Sequence, residues 1–222
     1  MIEEIQLKTT ERKTCRICES SELQDILSLG TQYISNFVEK DEIKEGIQAP
    51  LDLVQCKSCS LLQLRHTAPQ ELLYARHYWY RSGVTKFMKD ALQDIVNSVE
   101  TVVNLKDRDC VLDLGANDGT LLACYSNKNL IRIGCEPAKN LIEQLHKNAE
   151  LVIDDFWTYE NFKELAKTHA FDKAKVITAI GMFYDMEDPN QFVQDAQKAL
   201  ASDGVFIAQL MCLKPMLDKN DL

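Results

Sequence analysis

The chain has 222 residues, is 45% hydrophobic and 27% charged, and carries a formal net charge of −9 at pH 7. That length and apolar fraction fit one large or two small globular domains with a real core, while the charge argues against a nucleic-acid surface, which needs clustered Lys and Arg. No stretch approaches the 18 or so uninterrupted apolar residues of a membrane span. The opening Met1-Ile2-Glu3-Glu4 lacks the basic and apolar regions of a secretory leader, so a cytoplasmic setting with reduced thiols is expected, with no nucleic acid and no membrane as partner.

Residues 1–12 are polar and expected to fray. Cys15-Arg16-Ile17-Cys18 forms a first knuckle. Leu23 to Leu29 is a short apolar-rich segment ending at Gly30, and residues 39–48 read as a charged loop. Pro50 to Cys56 alternates as a strand entering the second knuckle, and Ser60 to Leu64 is a strand leaving it. Two knuckles that each turn a strand can present Cys15, Cys18, Cys56 and Cys59 to a tetrahedral zinc at about 2.3 Å per Zn–S bond. No open coordination position is implied, so the ion would be structural. The 37 residues between the knuckles exceed the usual ribbon spacing and read as an insertion. A redox dithiol or unliganded cysteines are the competing readings. Cys110, Cys124, Cys135 and Cys212 stand alone in apolar segments and are expected in the core.

Residues 69–82 concentrate Tyr74, Tyr78, Trp79 and Tyr80 with Arg76 and Arg81. This stretch is either packing at a domain junction or a border of a ligand site formed by Tyr78, Tyr80, Arg81 and Ser82. From Val84 to Val102, apolar residues at spacings of three and four give one helical face, expected to lead into an α/β lobe and pack on its sheet. Strands are then expected near 110–114, 131–135, 150–153, 174–179 and 204–210, and helices near 119–127, 138–148, 158–168 and 189–201. This alternation predicts a parallel sheet with right-handed crossovers. The predicted domains are a zinc-binding domain with the aromatic junction at 1–82, a connecting helix at 83–107 and a Rossmann-like α/β domain at 108–222.

The α/β lobe opens with Cys110-Val111-Leu112-Asp113-Leu114, then a small-residue turn from Gly115 to Gly119, then a helical pattern from Thr120. Strand, tight turn and helix make the start of a nucleotide-binding unit. Glycines allow close backbone approach, and the helix start offers free N–H groups. The second strand ends at Glu136-Pro137, about 20 positions on, where an acid can accept from both ribose hydroxyls. Asp113, Asn117 and Asp118 make the turn acidic. A pyrophosphate would be repelled there, whereas a cationic sulfonium bearing an amino acid would not. A NAD-type site and a bare turn without ligand stay open as alternatives. At the third strand end, Asp155, or Asp154 beside it, can accept from an adenine amino group while Phe156 lies against the ring; a solvated pair of acids is the plainer reading. Gly181, at the exit of the fourth strand, should face the bound ligand. Asp185, Glu187 and Asp188 precede Pro189 and suit a helix cap.

The pattern D-x-G-x-N-D-G with a following strand-end acid resembles motif I of class I S-adenosylmethionine (SAM) methyltransferases. With the two cysteine pairs, Leu61-Leu62-Gln63-Leu64, Tyr78 to Gly83, Pro189 to Phe192 and Gln209-Leu210, the chain resembles the zinc-binding sugar C-methyltransferase family over almost all of its length. The resemblance implies SAM and a structural zinc as cofactors. It also implies methyl transfer to carbon 3 of a nucleotide-linked 4-keto-6-deoxysugar through an enolate, which requires a base and oxyanion stabilisation. The family's His-Glu-His stretch and tyrosine, shortly after the fifth strand, have no counterpart before Leu222. On this reading the sheet is truncated after that strand and the catalytic residues are unassigned. His77, Tyr78 and Tyr80 are the candidates within the chain; His66 follows the second knuckle, and His146 and His169 are expected on helix surfaces. A sheet edge near 204–210 would be open to pairing with another chain. A non-catalytic SAM-binding module working with a partner chain, or an O- or N-methyltransferase, are the alternatives.

Overall fold

The computed structural model describes residues 9–34, 40 and 47–219. Residues 1–8 of the stretch expected to fray at 1–12, and most of the expected loop at 39–48, lie outside the described residues; within the former stretch Thr10–Glu11 is not frayed but paired with His66–Thr67. Two compact units divide the chain, Met1–Trp79 and Tyr80–Leu222.

The first unit holds β1 (Thr10–Glu11), β2 (Leu23–Tyr33), β3 (Gln48–Cys56), β4 (Leu62–Leu64) and β5 (His66–Thr67). β2, β3 and β4 form one antiparallel sheet, and β1 pairs separately with β5. The segment expected to stop at Gly30 runs on to Tyr33, because it pairs along β3 from Leu23 opposite Cys56 to Tyr33 opposite Gln48. Gly30, at φ 67°, falls where the register shifts between Ser28 and Thr31, so the glycine marks an irregularity rather than an end. Gln63 on β4 is buried; its Oε1 accepts from the Arg16 N–H at 2.9 Å and its Nε2 donates to the Thr14 carbonyl at 3.3 Å, which ties the first knuckle to the sheet. A single π-helical turn, Glu71–Ala75, follows.

The second unit starts with α1 (Lys86–Val102), capped by Thr85, whose hydroxyl accepts from the Met88 N–H. Then come β6 (Cys110–Leu114), α2 (Thr120–Ala123), β7 (Ile131–Cys135), α3 (Ile142–Asn148), β8 (Leu151–Ile153), α4 (Tyr159–His169), β9 (Ala174–Ile180), α5 (Pro189–Ala199), β10 (Leu200–Gln209) and α6 (Leu213–Lys219). The strands form a five-stranded sheet in the order β10-β9-β6-β7-β8. Every pairing is parallel, as the alternation predicts. Side chains alternate across it. Cys110, Leu112 and Leu114 of β6 face a core shared with Phe162 and Ala166 of α4 and Phe192 and Ala196 of α5. Val111 faces the other core, with Leu92, Val96 and Val99 of α1, Leu121 and Leu122 of α2 and Leu145 of α3. The sheet is therefore covered by helices on both faces.

Several boundaries differ from expectation for local reasons. α2 is a single turn, because the chain leaves the helix at Cys124 and the Lys128 ammonium binds the Ala123 and Tyr125 carbonyls at 3.0 and 2.6 Å. β10 begins at Leu200, directly after α5, with a register irregularity before Val205. Cys212 is exposed and Cys124 half-buried, against the expectation of core positions; Cys212 lies past the end of β10, outside both cores. β10 forms one margin of the sheet, and Phe206, Leu210 and Met211 are exposed there. Among the described residues, no helix is long and apolar enough to cross a membrane.

Candidate functional sites: a four-thiol cluster and an acidic glycine turn

The two knuckles repeat one geometry. The Cys15 carbonyl accepts from the Glu19 N–H at 3.0 Å and the Cys56 carbonyl from the Ser60 N–H at 2.9 Å. The Cys15 N–H donates to the Ser20 carbonyl at 2.9 Å and the Cys56 N–H to the Leu61 carbonyl at 2.8 Å. Glu19 and Ser60 adopt φ of 61° and 67°, the left-handed turn that glycine takes most easily. Neither place carries a glycine, so these turns leave no mark in the sequence. The four Sγ atoms lie within 4.8 Å of one another, with Cys15 to Cys59 and Cys18 to Cys56 at 3.5 Å. A tetrahedron with 2.3 Å Zn–S bonds has edges of about 3.8 Å, so the donor set fits zinc. The Cys56 thiol is drawn down to about 6, first by the Cys59 backbone N–H, whereas burial and the neighbouring thiols push Cys59 up to about 12 and Cys18 up as well, so of these three Cys56 ionises first.

The acidic turn follows β6, which lies between β7 and β9, at the point where the strand order reverses. Ligands of open α/β sheets bind at this point, outside the carboxyl ends of the strands. Gly115, Asn117 and Gly119 all have positive φ, at 69°, 53° and 77°. A Cβ at Gly119 would come within 2.7 Å of the Asn148 Cβ and 2.9 Å of Leu145 Cδ1, so only glycine fits there. Asn148 fixes the turn further by donating its Nδ2 to the Asp118 carbonyl at 2.8 Å.

Two acids converge on this turn. Asp113 is buried, and its Oδ1 accepts from the Thr178 hydroxyl at 2.6 Å. Burial pushes its carboxyl up to about 7, against the pull of the Thr178 hydrogen bond and with a smaller push from Glu136. Glu136 is also buried; its Oε2 accepts from the Asn117 N–H at 2.8 Å and its Oε1 from the Ala138 N–H at 2.9 Å. Burial raises its pKa too, opposed by those two amides. Each Glu136 oxygen keeps a second acceptor direction, as pairing with a ribose diol requires. Among the described residues, neither acid forms an ion pair with Lys or Arg.

Asn117 and Asp118 are engaged with residues 80–83. Asn117 Oδ1 accepts from the Ser82 N–H at 2.9 Å, and its Nδ2 donates to the Tyr80 carbonyl at 3.0 Å. Asp118 Oδ2 accepts from the Gly83 N–H at 2.8 Å, and its Oδ1 accepts from the Thr120 hydroxyl at 2.6 Å. Tyr80 and Ser82 are thus attached to the turn through their backbone. Pro137 follows Glu136 at the end of β7. Asp154, Asp155 and Phe156 follow β8; Asp155 Oδ1 accepts from the Phe156 N–H at 2.7 Å, and the exposed Asp154 lies 3.8 Å from the Lys139 ammonium. Gly181 follows β9 at φ 68°, and its N–H donates to the Gln209 carbonyl at 3.0 Å. The candidate donor residues therefore gather at the carboxyl ends of β6 to β9. His77 and Tyr78 belong to the first unit, where the His77 ring lies 4.3 Å from Trp79 and Tyr78 lies 6.0 Å from Tyr74. His146 and His169 are exposed on α3 and α4. Sequence reasoning passed over Thr178 and Asn148. For Thr178 a signal existed, since a hydroxyl inside the apolar run of β9 needs a partner.

A doubly covered parallel sheet with an acid-lined glycine turn at its reversal point is the Rossmann-like nucleotide-binding architecture, and here a four-cysteine domain precedes it. Residues 74–217 match the family described as methyltransferase domain, and residues 15–74 a family described as zinc binding domain. The chain belongs to this methyltransferase domain family. The four cysteines that could hold a metal ion lie within the residues that the zinc binding family covers. It is 26% identical over 208 residues to the C-methyltransferase NovU of Streptomyces niveus, an alignment covering 93% of this chain and 49% of NovU. The chain thus spans about half the length of that curated relative. Among solved structures, the plantazolicin methyltransferase BpumL in complex with S-adenosylhomocysteine (SAH) is similar at a TM-score of 0.46 and 16% identity, over 60% of this chain and 50% of that one. A SAM-dependent methyltransferase from Geobacter sulfurreducens in complex with SAH is similar at a TM-score of 0.37 and 16% identity, over 59% and 50%.

Proposed function

We propose that the chain is the zinc-binding and donor-binding part of a SAM-dependent C-methyltransferase acting on a nucleotide-linked keto-deoxysugar. The observation that carries the donor site is the pair of buried acids, Asp113 and Glu136, without a cationic partner among the described residues, on either side of a glycine turn at the sheet's reversal point. A buried carboxylate without a counter-charge is costly, and a cationic ligand bearing a diol would satisfy both. Asp113 would face the positive end of the donor and Glu136 its ribose. Asp155 or Asp154 would accept from the adenine amino group, with Phe156 along the ring, Gly181 beside the methionine portion, and Tyr80 and Ser82 bordering the cavity. SAM supplies an electrophilic methyl group. Cys15, Cys18, Cys56 and Cys59 would hold a zinc that takes no part in the chemistry.

The likeness to NovU supports carbon as the methylated atom. Carbon methylation next to a ketone needs proton removal to an enolate and then in-line attack on the methyl group, for which positioning is the main contribution of the site. The histidines of the donor unit, His146 and His169, are exposed on helices, and of the candidates for the base only Tyr80 belongs to that unit, attached to the turn through its backbone carbonyl. That placement favours a second reading, a donor-binding module whose base comes from elsewhere in a longer polypeptide or from a partner chain. Two Cys-x-x-Cys pairs that suit a metal rather than disulfides accord with a cytoplasmic setting of reduced thiols.

Calorimetric titration of the purified chain with SAM, with metal content measured on the same sample, tests the reading. Saturable binding with about one zinc per chain is expected; a zinc-loaded chain that binds no SAM would overturn it. Supplying SAM with a 13C-labelled methyl group and a nucleotide-linked 4-keto-6-deoxysugar then tests the acceptor, since a methyl resonance on carbon rather than oxygen distinguishes the C- from the O-transferase.

A further inference from the structure

We propose that Asn117 and Asp118 are positioning residues that buckle the segment Tyr80–Gly83 onto the glycine turn as a strap, so that ordering the strap and forming the donor site are one event. The proposal rests on the donor-site reading above and changes the role of these two side chains within it. Both are buried, and their polar atoms are committed to protein partners. Asn117 spends its Oδ1 on the Ser82 and Asp118 amides and its Nδ2 on the Tyr80 carbonyl. Asp118 spends Oδ2 on the Gly83 amide and Oδ1 on Thr120. An asparagine held at φ 53° is well suited to this, because it tolerates the left-handed turn and offers both a donor and an acceptor.

The strap is shaped to match. A Cβ at Gly83 would sit 2.7 Å from Thr120 Oγ1 and 2.8 Å from Asp118 Oδ2, so the backbone approaches the turn as closely as a glycine allows. The Asn117 backbone N–H donates to Glu136. One residue thus joins the strap on one side to the ribose-binding acid on the other. Displacing the strap would free the Asn117 and Asp118 side chains and loosen the turn that presents Glu136.

Arg81 is exposed in the middle of the strap, which gives a direct readout: trypsin cleavage after Arg81, mapped by mass spectrometry. Asn117→Ala removes the buckle from the turn, and Gly83→Ala pushes the strap away while leaving every turn residue in place. Each is expected to speed cleavage after Arg81 at least tenfold and to weaken SAH binding at least tenfold. Asn117→Asp keeps an acceptor for the Ser82 amide but loses the donor to Tyr80, and an intermediate effect on both readouts is expected. SAH should slow the cleavage in the unaltered chain. Asp113→Asn serves as the control, with SAH binding weakened and cleavage in the absence of SAH as in the unaltered chain. Native cleavage rates in both Gly83→Ala and Asn117→Ala would overturn the proposal, as would a freed strap with unchanged SAH affinity. If the unaltered chain itself bound no SAH, the donor-site reading would fall and this inference with it; if it bound SAH and the freed-strap variants did so equally well, only this inference would fall.

Discussion

Asp113 is the residue on which donor chemistry and stability meet. With its carboxyl raised to about 7 by burial, the unliganded protein holds a proton there that the unfolded chain, at its ordinary carboxylate value, does not. The folded state therefore binds more protons between those values. Stability from this group is full below the ordinary value and is lost as pH rises through about 7. A melting temperature that climbs on acidification from about pH 7 toward pH 5, with a smaller climb in Asp113→Asn, is the expected result. Donor binding runs the opposite way, because the ionised form attracts the cation. The SAM dissociation constant should rise below about pH 7, by up to tenfold per pH unit, and Asp113→Asn should flatten that dependence. At this scale the local pattern was legible: Asp113, Gly115, Gly119 and Glu136 stand where a strand–turn–helix motif requires them. The partners of Asn117 were not, because they lie some 35 positions earlier in the chain and only the folded backbone brings them near. A hydroxyl at Thr178 called for a partner, but which one, Asp113 at 65 positions' distance, was hidden for the same reason.

Elements were legible where periodicity and caps agreed. α5 begins at Pro189 because Asp188 caps it, its carboxylate accepting from the Gln191 N–H at 2.9 Å. Asp188 thus has a structural use, and Asp188→Ala should cost about 1 kcal/mol, read as a lower melting temperature with donor affinity retained. β2 was legible only in part. Its pairing with β3 carries it through Gly30, and the run of apolar residues alone could not reveal which later strand it pairs with. The knuckles depend on their metal, since four thiols this close repel one another as thiolates unless a cation joins them. Cys56→Ser, or removal of metal by a chelator, should therefore abolish zinc content and lower the stability of the first unit. Hydrogen exchange at the β3 and β4 amides, quickened on metal removal, would check this.

For the whole molecule, the order β10-β9-β6-β7-β8 decides where a ligand sits, since it puts the reversal beside β6 and directs the donor residues to one end of the sheet. The alternation of strands and helices predicted a parallel sheet, but strand order is not written in any local pattern; it follows from which faces the helices must cover. The two units make a paired prediction. Asp113→Ala should weaken SAM without releasing zinc, and Cys56→Ser should release zinc with a smaller effect on SAM, as read by calorimetry and metal analysis on the same samples. The strap adds a consequence for modularity. The donor unit is contiguous from Tyr80 onward, yet it closes on itself through residues that precede its first helix. A graft of the α/β unit between related enzymes that joined at α1 would leave its own clasp behind. Chimeras spliced ahead of Tyr80 should inherit a working donor site, whereas those spliced after Gly83 should inherit a sheet and a turn whose Asn117 and Asp118 have lost the segment they hold.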